Sequence, residues 1–131
     1  MQTAEKLASN ATNSLSEYDA ISRTVQTYID GGMSGRGADM KPAFHPDATI
    51  FGYVGADLFA GPIQQLFDWN DENGPATELE ARIASIDIFG TIATVRLELD
   101  NWTGHRFTDV FTLLKVDGEW KIMNKVFYLH P

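Results

Sequence analysis

The last part of the chain alternates apolar and polar positions. From Phe107 to Tyr128 it reads FTDVFTLLKVDGEWKIMNKVFY, two β-branched and aromatic runs joined by Asp117-Gly118. Asp-Gly between such runs predicts a hairpin with a two-residue type I′ turn, because both central residues need positive φ. The turn sets the register, and the register decides which side chains share a face. Strict alternation puts Phe107, Asp109, Phe111, Leu113, Trp120, Ile122, Asn124, Val126 and Tyr128 on one face. Thr108, Val110, Thr112, Leu114, Lys121, Met123, Lys125 and Phe127 take the other. The first face is apolar and aromatic, with one carboxylate and one amide set into it. A few polar groups in an apolar concavity are what a small-molecule site needs.

Upstream the period changes to that of helices. Ser16 suits an N-cap, and Tyr18, Ile21, Val25, Tyr28 and Ile29 follow at helical spacing until Gly31-Gly32, the expected stop. Residues 34–44 predict a short second helix with Met40 and Phe44 inward. His45-Pro46-Asp47 turns into a strand over 48–51, and the chain returns over 57–60. Gly61-Pro62 opens a third helix with Ile63, Leu66 and Phe67 on its inner stripe, ended by Asn73-Gly74-Pro75. Two more strands, 79–89 and 91–100, flank a tight turn near Gly90. Helices early and a mainly antiparallel sheet late predict an α+β fold. Residues 1–16 carry little to bury and are expected to be a flexible N-terminal extension, with 17–131 a single domain.

Composition narrows the function. The chain has 131 residues, no cysteine and a formal charge of −8. Without cysteine there is no disulfide framework and no thiol chemistry. The negative charge argues against nucleic acid and against an anionic membrane surface as partners. No apolar run reaches transmembrane length and the N-terminus lacks a signal-peptide core, so a cytoplasmic location is the default expectation. His45, His105 and His130 show no metal-ligand spacing, so no metal is expected.

The element order, with FHPDATIFGYVG after two helices and DVFTLLKVDGEWKIMNKVFY at the end, resembles the NTF2-like superfamily. Within it the chain looks like the SnoaL-like group and the subgroup labelled putative lumazine-binding, over roughly residues 17–130. The resemblance implies a cone: a curved sheet wrapped around three helices from the N-terminal half, with an internal cavity. Members include ketosteroid isomerase, scytalone dehydratase, polyketide cyclases and non-enzymatic binding modules, so function must be argued from the site. Compared with the isomerase, Tyr28 in TVQTYID matches its oxyanion-binding Tyr. Asp109 lies on the strand corresponding to that of its protonated Asp. The position of its general base, within DATIFGY, is Gly52. A glycine takes no proton, which argues against steroid isomerase activity.

Asp109, between Phe107 and Phe111, would be costly to bury charged. It is therefore either a proton-transfer group with raised pKa or half of a structural ion pair. Tyr28 is either its hydrogen-bonding companion in catalysis or a core tyrosine. Tyr53, Trp69, Phe107, Phe111, Asn124, Tyr128 and His45 are the candidate ligand-binding residues, and Phe51, Phe59 and Trp102 could join the aromatic cavity mouth. Asn124 has a bland alternative, a hydrogen bond that pins neighbouring strands. The leading expectation is a protein binding a small, partly apolar molecule in its cone, with cofactor-independent acid–base chemistry of isomerase, dehydratase or cyclase type. The rival is a non-catalytic ligand-binding or dimerisation module. A homodimer through the outer sheet face is expected, since Val110, Leu114, Met123 and Phe127 would otherwise be exposed.

Overall fold

The computed structural model describes the backbone of residues 2–131 and the side chains of residues 15–131. In chain order it contains α1 (Gln2–Ser34), α2 (Gly37–Met40), a 3₁₀ turn (Lys41–Ala43), β1 (Phe44–Val54), β2 (Asp57–Pro62), α3 (Gln64–Asn73), β3 (Glu80–Phe89), β4 (Ile92–Trp102), β5 (His105–Val116) and β6 (Glu119–Leu129). The six strands form one curved, open sheet in the order β2-β1-β6-β5-β4-β3. Only the β1–β6 pairing is parallel. This is the expected α+β cone, with the helices on the concave face.

Helix α1 lays Ile21, Val25 and Tyr28 into the core, the i, i+4, i+7 stripe of one face. Tyr18, expected on that stripe, is instead half-exposed. The helix does not stop at Gly31-Gly32. It runs on to Ser34 and ends at Gly35, whose φ is +74°. Gly31 serves contact rather than termination: a Cβ there would lie 2.4 Å from that of Met40. Its carbonyl accepts from Asn70 Nδ2 at 3.0 Å, so α1, α2 and α3 are locked at one point. The third helix also begins later than expected, because Pro62 still belongs to β2. The expectation of a flexible 1–16 falls mostly on residues whose side chains lie outside those described.

The β5–β6 turn has φ of +50° at Asp117 and +81° at Gly118, the type I′ signature expected from Asp-Gly. Alternation then holds only part-way along the hairpin. Leu113 pairs with Ile122, but Thr112 pairs with Asn124, leaving Met123 as an extra residue. At the same place β6 changes partner register with β1, from Phe44–Ile122 to Thr49–Asn124. This β-bulge reverses the parity of everything after it. Trp120 and Ile122 face inward, and so do Lys125 and Phe127, while Val126 and Tyr128 face out.

Candidate functional site

Three polar side chains meet under the core. Tyr28 comes from the buried stripe of α1. Asp109 comes from the inner face of β5, between Phe107 and Phe111. Lys125 comes from β6, turned inward by the bulge. Tyr28 and Asp109 are fully buried and Lys125 is 4 % exposed. Tyr28 Oη donates to Asp109 Oδ2 at 2.7 Å. Lys125 Nζ donates to Tyr28 Oη at 2.7 Å and lies 3.9 Å from Asp109 Oδ2. The phenol therefore stands between amine and carboxyl as a hydrogen-bonded bridge.

Burial is the largest influence on each of the three. It lowers the Lys125 pKa, and the Asp109 charge opposes it only in part. It raises the Asp109 pKa, against the pull of the Lys125 charge and the Tyr28 hydrogen bond. Burial and the Asp109 charge hold the Tyr28 hydroxyl well above its ordinary pKa, so it stays protonated. Asp109 Oδ1 is buried with no hydrogen-bond partner, a further cost to a full carboxylate. The rings of Tyr28, Phe127 and Trp102 lie 4.9, 5.4 and 5.6 Å from Lys125 Nζ and favour its cation. Burial thus favours the neutral pair, while the mutual charge and the surrounding rings favour the ionised one. Two short proton shifts through Tyr28 interconvert them: amine to phenol, and phenol to carboxyl.

Much of the cone is filled by aromatic packing, with Phe111 and Phe44 edge-on to Tyr28 at 5.3 and 5.8 Å. The space left beside them is a narrow, partly open pocket with a cavity volume of about 30 Å³. Its wall is Ile50, Val54, Phe59 and Leu66, with the rings of Trp69, Trp102, Phe107 and Phe127. Lys125 is the one charged side chain on that wall. Trp102 adds a buried Nε1–H with no acceptor.

The structure brings Asp109 and Tyr28 together, but places Lys125 between them and the pocket. Trp69 and Phe107 line the pocket, with Phe59 and Trp102. Phe111 packs behind Tyr28 instead. Tyr53 and Tyr128 are corrections: they are paired neighbours on the outer face, both more than half exposed. Tyr128 moved because of the bulge. Tyr53 follows the parity of β1, in which Ile50 and Gly52 face inward. Asn124 is a correction for the same reason as Tyr128. Its Nδ2 donates to Thr49 Oγ1 at 2.9 Å, tying β6 to β1, which was its bland alternative. His45 is also outside the pocket; it lies within β1 rather than in a turn before it, and its Nδ1 accepts from the Asp47 amide at 3.0 Å. Strict alternation places Lys125 on the opposite face, so the sequence alone does not reveal it. The odd spacing between the large core residues Ile122 and Phe127 is the trace a bulge leaves in the sequence.

Gly52 faces the inside of the cone, and its space is taken. A Cβ there would lie 2.5 Å from Cδ1 of Phe127, its partner across the parallel pairing. The ring occupies the place that a longer side chain on β1 would need. Among the described residues no three or more His, Asp or Glu side chains gather as a metal site would require. Nor is any described helix long and apolar enough to cross a membrane.

Comparison with known proteins agrees with this architecture. An aldolase from Cladobotryum sp, FrzH, is 34 % identical over 117 residues, covering 88 % of this chain and 94 % of that protein. An NTF2-like protein of unknown function from Methylobacillus flagellatus is 51 % identical with a TM-score of 0.87, over 88 % of this chain and 94 % of that one. Another, from Shewanella baltica, is 45 % identical with a TM-score of 0.85, over 89 % and 96 %. Residues 16–128 match the family described as "Putative lumazine-binding". The chain is a member of that family, within the NTF2-like superfamily.

Proposed function

We propose that the protein binds a small, largely apolar molecule in its cone and moves a proton to or from it without a cofactor. The observation that carries this reading is the line Asp109–Tyr28–Lys125, which ends in a lysine that forms part of the pocket wall. In its neutral form Lys125 is the base that meets the substrate. Asp109 holds the displaced proton through Tyr28 and returns it at the end of the turnover. A base needs a pKa near the working pH, and burial moves Lys125 in that direction. Similarity to an aldolase supports the reading, since aldol chemistry begins with loss of a proton beside a carbonyl. A pteridine such as lumazine would meet a wall whose only polar side chains are Lys125 and the indoles of Trp69 and Trp102. Each of its polar groups left unpaired would cost about 1–3 kcal/mol, so a less polar ligand suits the pocket better.

The test is mass spectrometry of small molecules carried through native purification, followed by incubation of the recovered molecule with the protein in D₂O. The expected result is solvent deuterium in that molecule with the wild type and none with Lys125→Met. A ligand that is bound and recovered unlabelled would refute the proton transfer and leave a binding module.

The outer sheet face favours a second, compatible role, homodimerisation. Val110, Val126 and Phe51 form one cross-strand row there, and Tyr128 and Tyr53 the next. All five are exposed in the single chain. Of the expected set Val110 stays exposed, while Phe127 drops out because it is buried. An apolar patch of this kind suits a self-complementary contact. Sedimentation at micromolar concentration should show a dimer, converted to monomer by Val126→Lys; a wild-type monomer would refute it.

A further inference from the structure

A lysine amine sealed among aromatic rings at the end of an apolar pocket has a second use besides proton transfer. It can become a nucleophile once it is neutral, and a desolvated pocket is the setting that makes it so. We propose that Lys125 attacks an aldehyde or ketone bound in the cone and holds it as a covalent imine, which makes carbonyl compounds the ligand class of this site. The proposal rests on the reading that the cone binds a small apolar molecule.

The geometry supplies each part. Lys125 Nζ has its hydrogen bond to Tyr28 on one side, and Lys125 itself forms part of the pocket wall on the other. Once the ammonium has passed its proton to Tyr28, and Tyr28 has passed its own to Asp109, the amine keeps a lone pair for the carbonyl carbon. Attack forms the C–N bond and turns the carbonyl into a carbinolamine hydroxyl. The proton held by Asp109 returns through Tyr28 as that C–O bond breaks and water leaves. The products are an iminium on Lys125, a carboxylate on Asp109 and one water. Charge is therefore the same as in the starting ion pair, and no outside acid or reductant is needed. An apolar wall accepts the alkyl or aryl part of the substrate. The buried Nε1–H of Trp102, on the same wall, lacks an acceptor, and a carbonyl oxygen supplies one. Other lysines are differently placed: Lys115 is held by Glu17 at 2.6 Å and Lys121 by Glu119 at 3.6 Å.

Butanal with sodium cyanoborohydride at pH 7 tests this, because hydride reduces an iminium to a stable secondary amine. The expected product is one adduct, of butanal mass less one oxygen, on the peptide carrying Lys125. Labelling there should be at least about tenfold faster than at Lys115 or Lys121, since an ordinary lysine with pKa about 10.4 is neutral in only about one copy in 2,500 at pH 7. Lys125→Met should lose this adduct and keep the slow background. Peptide mapping of the wild type decides the matter even if that variant fails to fold. Labelling spread over the other lysines with Lys125 unmodified overturns the imine. If butanal still shifts the indole NMR signals of Trp69 and Trp102 in that case, the binding reading survives. If it shifts neither, both readings fall.

Discussion

Replacing Asp109 by Asn removes the carboxylate while nearly preserving shape, and leaves Lys125 buried without a counter-ion. If the amine stays charged, breaking a buried pair costs about 3–5 kcal/mol. It can instead fold neutral, which costs about 1.4 kcal/mol for each pH unit below its solution pKa of about 10.4, or about 4.6 kcal/mol at pH 7. The two routes are similar in size, and the three rings around Nζ offset about 1 kcal/mol of the first. A loss of about 3–4 kcal/mol at pH 7 is expected, lowering the melting temperature by roughly 10–20 °C for a domain of this length.

The pH dependence separates this from a generic packing defect. A depressed lysine pKa gives stability that is complete above about pH 10.4 and is lost as pH falls toward the folded-state pKa. A raised carboxyl pKa gives stability that is complete below about pH 3.9 and is lost as pH rises through the folded-state value. In the wild type the two oppose each other. A proton passed from Lys125 to Asp109 leaves the proton count unchanged, so the pair adds no slope near neutrality. In Asp109→Asn only the lysine remains. Its stability deficit should shrink as pH rises from 7 to 10, by up to about 1.4 kcal/mol per pH unit. Urea denaturation of both proteins across that range measures it. A variant within about 1 kcal/mol of wild type at pH 7, with no difference in slope, would show that Asp109 and Lys125 are not a buried pair.

Three further expectations follow from packing and backbone geometry. Gly52→Ala should cost about 1–3 kcal/mol by driving a Cβ into the Phe127 ring, and Phe127→Leu in the same chain should recover part of it in a thermal melt. Gly118→Val should cost about 1–3 kcal/mol from the positive φ alone, since nothing lies within 4 Å of its Cβ position; unchanged stability in urea would show that the turn tolerates a β-branched residue. Removing residues 1–15, which hold few large apolar groups and end on an exposed Leu15, should leave the melting temperature within a few degrees; a clear fall would mean that this segment docks on the body.

Much of this protein is written locally. Alternation places Phe107, Asp109, Phe111 and Leu113 on one face of β5, and each is inward. Asp117-Gly118 specifies its own turn, because only φ at two residues has to be satisfied. The meeting of Tyr28 with Asp109 is also legible, since each belongs to the buried face of a strongly periodic element. What the chain does not announce is Met123. Whether β6 carries an extra residue there depends on fitting β5 on one side and a parallel β1 on the other, two strands far apart in sequence. That single residue turns Asn124, Val126 and Tyr128 away from the core and brings Lys125 and Phe127 in. The face of β5 could be read from its own sequence. The amine that completes the site could be placed only by the tertiary pairing, because side-chain parity in a strand is inherited from every residue between it and the turn.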